Sequence, residues 1–172
     1  MTQEAMNNAI VLFELGVERK DVEEAERIYK LTPELQSIFS NPTIVYREKQ
    51  KLVQDIFEKE DFSLIFINFL KELCKNYMID KMDEIFDYYY QYWDTKNRII
   101  NATLAYASEP EQDKKDEILL FLEQKYPDQK IQMKEEKRPE LLGGFVLYVG
   151  HEEYDWSFDG SLKQLERKLT RR

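Results

Sequence analysis
His151 and Cys74 are the one histidine and the one cysteine of a 172-residue chain. One imidazole excludes two-histidine sites and leaves little histidine acid–base chemistry. One thiol excludes an internal disulfide framework and any multi-cysteine metal cluster. His151 falls in a predicted hairpin turn beside Glu152 and Glu153, which suits an exposed turn residue better than a catalyst. Cys74 lies in an apolar helical stretch with no cation poised to lower its pKa. It reads as a buried or partner-facing small apolar residue, not a nucleophile. Gly143-Gly144 fits a bend that needs permissive backbone before a strand better than a phosphate contact. The sequence has no glycine-rich phosphate loop followed by Lys and no G-x-S-x-G elbow. Its carboxylates are interleaved with Lys and Arg along helix faces, the pattern of a solvated surface. Tyr88-Tyr89-Tyr90 and Tyr92-Trp93 are flanked by Asp87 and Asp94, which favours helix packing over base stacking. No catalytic, metal-ligating or cofactor-binding residue is predicted.

The formal net charge of -9 argues against a general phosphate-backbone binder. No run approaches the apolar length of a membrane span. Met1-Thr2-Gln3-Glu4 lacks the basic region and apolar core of a secretory signal. The expectation is a cytoplasmic protein, or one held at a membrane through partners, with no nucleic-acid ligand.

The elements that would carry any function divide the chain in two. Residues 1–98 show helical period throughout. The first helix covers about 2–16, with Ala5, Ala9, Phe13 and Gly16 on one face. A second starts after Asp21 as N-cap and carries Val22, Ala25 and Ile28. Thr32-Pro33 and Asn41-Pro42 each open a further helix. Asp61 caps a fifth, to about Lys75, and a sixth begins near Asp80. After Arg98 the period changes to alternation at Ile100, Ala102, Leu104 and Tyr106. Ser108-Glu109-Pro110-Glu111 has the form of a capping box opening an amphipathic helix. Gln129–Lys134, Gly144–Val149 and Tyr154–Ser157 read as strands, and Leu162, Leu165 and Leu169 mark a last helix. The predicted fold is therefore mainly α. It has an N-terminal six-helix bundle over 1–98 and a small C-terminal α+β domain over 99–172, joined near 96–101.

The fifth helix is apolar on two sides. At 100° per residue, Phe62, Ile65, Phe66, Phe69 and Leu73 form one stripe. Leu64, Ile67, Cys74 and Met78 form another, interrupted by Lys71. Such a helix is either central in its bundle or packs a partner on its outer face. The first helix has a similar excess at Met6, Ile10 and Val17. Two neighbouring helices with surplus apolar surface would form a groove for an amphipathic helix.

The C-terminal segment Leu142-Gly143-Gly144-Phe145, an alternating strand, a turn, Asp155-x-Ser157, and then Leu162, Leu165 and Leu169 resembles the end of the delta subunit of bacterial F-type ATP synthase. That family includes the mitochondrial oligomycin-sensitivity-conferring protein. Ala9–Gly16 is similar to the family's small-and-aromatic first helix, and the length and order of elements agree. The chain departs from the family at Lys137-Arg138, where an apolar residue and an acid are usual, and at Tyr148, where a base is common. The resemblance implies a non-catalytic stator subunit at the cytoplasmic face of the cell membrane. Its N-terminal bundle would hold the N-terminal helices of the head's alpha subunits, through Met6, Ile10, Val17, Leu64, Ile67, Lys71, Cys74 and Met78. Its C-terminal domain would hold the peripheral-stalk b subunits, with Gly143, Gly144, Phe145, Asp155, Ser157 and the three leucines as its motif. The rival readings are a helical-bundle adaptor unrelated to ATP synthase and an enzyme with an unrecognised acid site. Copurification with head and stalk subunits separates them.

Overall fold
The computed structural model describes residues 2–150, 152–160 and 162. They belong to two compact units, Met1–Trp93 and Asp94–Arg172.

The first unit contains α1 (Gln3–Glu14), α2 (Arg19–Leu31), α3 (Pro33–Ser40), α4 (Tyr46–Phe57) and α5 (Leu64–Lys75). A 3-10 turn at Ile79–Lys81 then leads into α6 (Met82–Lys96), whose residues 94–96 fall in the second unit. Short polar side chains close several helix starts. Thr2 accepts from the Ala5 amide and Ser63 from the Phe66 amide, each satisfying a donor the helix cannot. Pro33 occupies the first turn of α3, where its missing N–H costs nothing.

Three predicted starts move. The cap of α2 is Glu18, and Asp21 lies in the first turn, where its carboxylate favours the helix's positive end. Asn41 does not open α4. Its Oδ1 accepts from the Thr43 amide (2.9 Å) and the Thr43 hydroxyl (2.8 Å), holding a turn ahead of a helix that begins at Tyr46. Asp61 adopts a left-handed φ of 61° in the connector, and Ser63 caps α5 in its place. Asp and Asn stabilise turns and caps by the same local hydrogen bonds, so their presence marks a break without locating the helix.

Ala5, Ala9 and Leu12 of α1 pack into a core with Val22, Ala25 and Tyr29 of α2 and Val53 and Phe57 of α4. The centre of this core is α5, which buries Phe66, Ile67, Phe69, Leu70, Leu73 and Cys74. Met82, Ile85, Phe86 and Tyr89 of α6 complete it. The polar groups drawn inside are paired. The Tyr89 hydroxyl donates to the Val17 carbonyl at 3.0 Å. The buried Lys49 Nζ donates to the Phe39 carbonyl at 2.7 Å, near the end of α3, where helix carbonyls lack internal donors.

The second unit contains β1 (Ile99–Tyr106), α7 (Gln112–Lys125), β2 (Lys130–Lys137), β3 (Phe145–Val149) and β4 (Glu152–Asp155). The sheet order is β2-β1-β3-β4. β1 and β2 are parallel, with α7 as the crossover that parallel pairing needs, and the other two pairs are antiparallel. Register places Leu104 against Leu147 and Ala102 against Val149. These four pack with Ile118 and Leu122 of α7 into a second core. Ser108 does not cap α7, which starts at Gln112 with Glu111 before it. β4 begins two residues earlier than the predicted Tyr154. Phe158–Gly160 and Leu162 are helical, and Leu162 is exposed. His151, Leu165 and Leu169 lie outside the described residues. Among the described residues no helix is long and apolar enough to cross a membrane.

Candidate functional site
A groove between α1 and α5 is an open apolar feature of the first unit. On α1, Asn8, Val11 and Leu15 follow helical spacing along one face. On α5, Ile65, Asn68, Phe69, Glu72, Leu73 and Asn76 do the same. Together these residues line a groove of about 490 Å³. Val11, Leu15 and Ile65 are 46%, 41% and 52% exposed, while Phe69 and Leu73 form a buried floor. Three large apolar side chains are thus turned to water along one trough.

The helices are those predicted, but the wall of α5 is not. Ile67 and Cys74, assigned to a partner-facing stripe, are 2% and 1% exposed and belong to the core. Lys71 of that stripe is tied to α4: its ammonium meets Gln54 Oε1, and its carbonyl accepts from Gln50 Nε2 at 2.9 Å. Ile67 and Cys74 sit about one turn either side of Lys71, so α4 covers this face of α5. Met78 packs against the same core, and Val17 is buried. Leu64 and Met6 are exposed and Ile10 is half-buried. Leu64 lies about 100° round α5 from Ile65, and Met6 and Ile10 lie about 100° or more round α1 from Val11. None of the eight predicted head-contact residues lines the groove. Ile65, Phe69 and Leu73, read from sequence as the inner stripe, do. Both stripes are equally apolar, so hydropathy could not tell which one α4 would cover. Val11 and Leu15 were missed because Met6 and Ile10 give the same signal.

In the second unit, Gly143 and Gly144 come together with Asp155 and Ser157. Gly143 and Gly144 have φ of 133° and 77°, values open to glycine and strained for other residues. The Phe158 amide donates to the Gly143 carbonyl (3.1 Å) and the Trp156 amide to the Phe145 carbonyl (3.0 Å). The two segments therefore lie backbone to backbone. A Cβ on Gly144 would sit 2.9 Å from Ser157 Cα and closer still to the Trp156 carbonyl oxygen; one on Gly143 would sit 2.5 Å from the Phe158 ring. Asp155 Oδ1 accepts from the Ser157 amide (2.9 Å) and hydroxyl (2.5 Å). The Ser157 Oγ accepts from the Gly160 amide at 3.0 Å. Asp155 thus orients Ser157, and Ser157 caps the helical turn that follows. Gly160 was not singled out from sequence, yet its Cβ would lie 2.6 Å from Asp155 Oδ1.

This clasp holds an aromatic cleft. Ile118, Phe121, Phe145 and Trp156 line a cleft of about 410 Å³, with Lys114 and Glu117 on its edge. Trp156 is 44% exposed. Its ring stacks on Tyr154 at 5.7 Å and meets Phe121 edge-on at 5.9 Å. Such offset and edge contacts give large apolar area in a stiff arrangement. Of the cleft residues only Phe145 belongs to the motif read from sequence. Trp156 and Phe121 meet only through the fold.

Burial pushes the Cys74 thiol up to about 12, so it carries no thiolate at neutral pH. Burial and the carboxylate of Glu26, which accepts the Tyr90 hydroxyl at 2.8 Å, likewise raise Tyr90. Among the described residues no cluster of three or more His, Cys, Asp or Glu could hold a metal ion. The arrangement offers apolar clefts.

The ATP synthase delta (OSCP) subunit family matches residues 9–169. ATP synthase subunit delta of Shouchella clausii (strain KSM-K16) is 25% identical, the match covering 99% of this chain and 98% of that protein. ATP synthase subunit delta of Carboxydothermus hydrogenoformans is 27% identical, over 96% of each chain. A chain of the Toxoplasma gondii mitochondrial ATP synthase hexamer superposes with a TM-score of 0.68 at 16% identity, covering 100% of this chain and 99% of that one. That likeness is one of fold. The match over nearly the whole length removes the reading of an adaptor unrelated to ATP synthase. With this coverage, the chain belongs to the ATP synthase delta (OSCP) subunit family, and so is a structural, non-catalytic subunit of that complex.

Proposed function
We propose that this subunit is the stator joint of a rotary F-type ATP synthase, tying the catalytic head to the peripheral stalk. The α1–α5 groove takes the N-terminal helices of the head's alpha subunits. The second unit takes the b subunits of the stalk at the Phe121–Trp156 cleft. The joint sits peripherally at the cytoplasmic face of the cell membrane, reaching it only through the complex. It resists rotor torque, so that ion-gradient-driven rotation reaches the catalytic sites instead of spinning the head.

The observation that supports this is an exposed apolar cleft on each of two separate units. A linker requires two such surfaces. A long-lived joint also requires tight contacts, and nanomolar affinity corresponds to roughly 12 kcal/mol. A few buried apolar anchors in a groove are enough to supply it. The test is copurification of the full chain with head and stalk subunits. Ile65→Asp is expected to lose the head and keep the stalk, and Trp156→Ala to do the reverse. Joint loss of both partners by either folded variant, or loss of neither, refutes the assignment.

A further inference from the structure
We infer that the α1–α5 groove selects its partner by charge. Glu72, on the groove's edge, takes a lysine or arginine from an amphipathic helix seated on Val11, Leu15, Ile65 and Phe69. This rests on the groove being the head-binding surface proposed above, and adds what that surface discriminates.

Three observations point the same way. Glu72 is the one charged residue among those that line the groove. Its ion pair is with Lys75 of its own helix at 3.5 Å, both side chains well exposed, a pairing weak enough to yield to a partner. Finally, α5 ends at Lys75 with Asn76 as its C-cap, placing the helix's negative pole beside Glu72. Carboxylate and helix terminus both favour a donor carrying positive charge. The chain's net charge of -9 adds a long-range field of the same sense.

Geometry sets the rest of the partner. The α5 wall runs from Ile65 to Asn76, about 16 Å of helix. It therefore receives about three turns of partner, with apolar anchors at i, i+3 or i+4 and i+7 and a cation flanking them. A helix with the same apolar face and a carboxylate in place of the cation meets Glu72 and is rejected.

The test uses the full chain and two synthetic amphipathic helical peptides with one apolar face. One carries lysines at the flanking positions of both ends, the other glutamates. Binding is followed by fluorescence anisotropy at low and high salt. The lysine peptide is expected to bind about tenfold more tightly, with the advantage falling as salt rises. Glu72→Gln should weaken the lysine peptide by about fivefold at unchanged melting temperature, and Glu72→Lys should reverse the preference. If both peptides bind alike and Glu72→Lys changes nothing, charge selection is wrong and the groove stands. If neither binds, or folded Ile65→Asp binds like wild type, the groove assignment itself is wrong, and charge selection with it.

Discussion
Replacing Gly144 by alanine should unfold the second unit far more readily than the same change at Gly150, although both glycines have left-handed backbone. Their φ angles are 77° and 58°, and holding a side chain there costs about 1–2 kcal/mol at either site. The surroundings differ. Nothing lies within 4 Å of a Cβ built on Gly150, whereas one on Gly144 meets Ser157 Cα at 2.9 Å and the Trp156 carbonyl oxygen nearer still. Both neighbours are backbone, so no side chain can swing aside. Relief requires separating the two segments. That strains the hydrogen bonds from Trp156 to Phe145 and from Phe158 to Gly143, each worth about 1 kcal/mol. It also disturbs the Ser157 cap, worth about 1 kcal/mol more. The sum is about 4.5 kcal/mol for Gly144→Ala against about 1.5 kcal/mol for Gly150→Ala. The chain has two tryptophans, Trp93 and Trp156. In a Trp93→Phe background, urea unfolding followed by the Trp156 emission reports the second unit alone. Equal midpoints for the two alanine variants would refute the claim that close backbone approach, and not merely a permissive φ, dictates glycine at 144.

Three further outcomes follow from the same geometry. Ile67→Asp buries an unpaired charge in the first core and should cost more than about 4 kcal/mol; Ile65→Asp, on the groove, should stay within about 1 kcal/mol of wild type by thermal melting while losing the head. Stability should fall in alkali, because the folded Cys74 thiol titrates near 12 instead of the ordinary 9.0. The unfolded chain then ionises first, and the contribution of the neutral buried thiol, complete below pH 9.0, is lost progressively between 9.0 and about 12. Cys74→Val should flatten the first part of that slope in urea titrations, by up to about 1.4 kcal/mol per pH unit, before the buried Tyr29 and Tyr89, also raised, begin to contribute. Ser157→Ala should cost about 1 kcal/mol by urea unfolding, the worth of an N-cap; no loss would mean that the Gly160 amide finds another acceptor.

Much of the architecture was legible in the order of residues. Apolar spacing depends on local geometry alone, so the first helix, the helix around Phe66 and the change of period at Ile100 could be read directly. The Gly143-Gly144 and Asp155-x-Ser157 patterns were visible too, but not that they embrace each other or that Gly160 must clear Asp155. Local hydrogen-bonding power did not say whether Asn41 and Asp61 would cap helices or shape connectors. Nor could periodicity choose between the two apolar faces of α5. Ile67 and Ile65 differ little as sequence. α4, anchored by Lys71 to Gln50 and Gln54, covers the first, and the second is left on the groove. Which apolar face stays open depends on what packs against the other, a long-range choice that only tertiary structure makes.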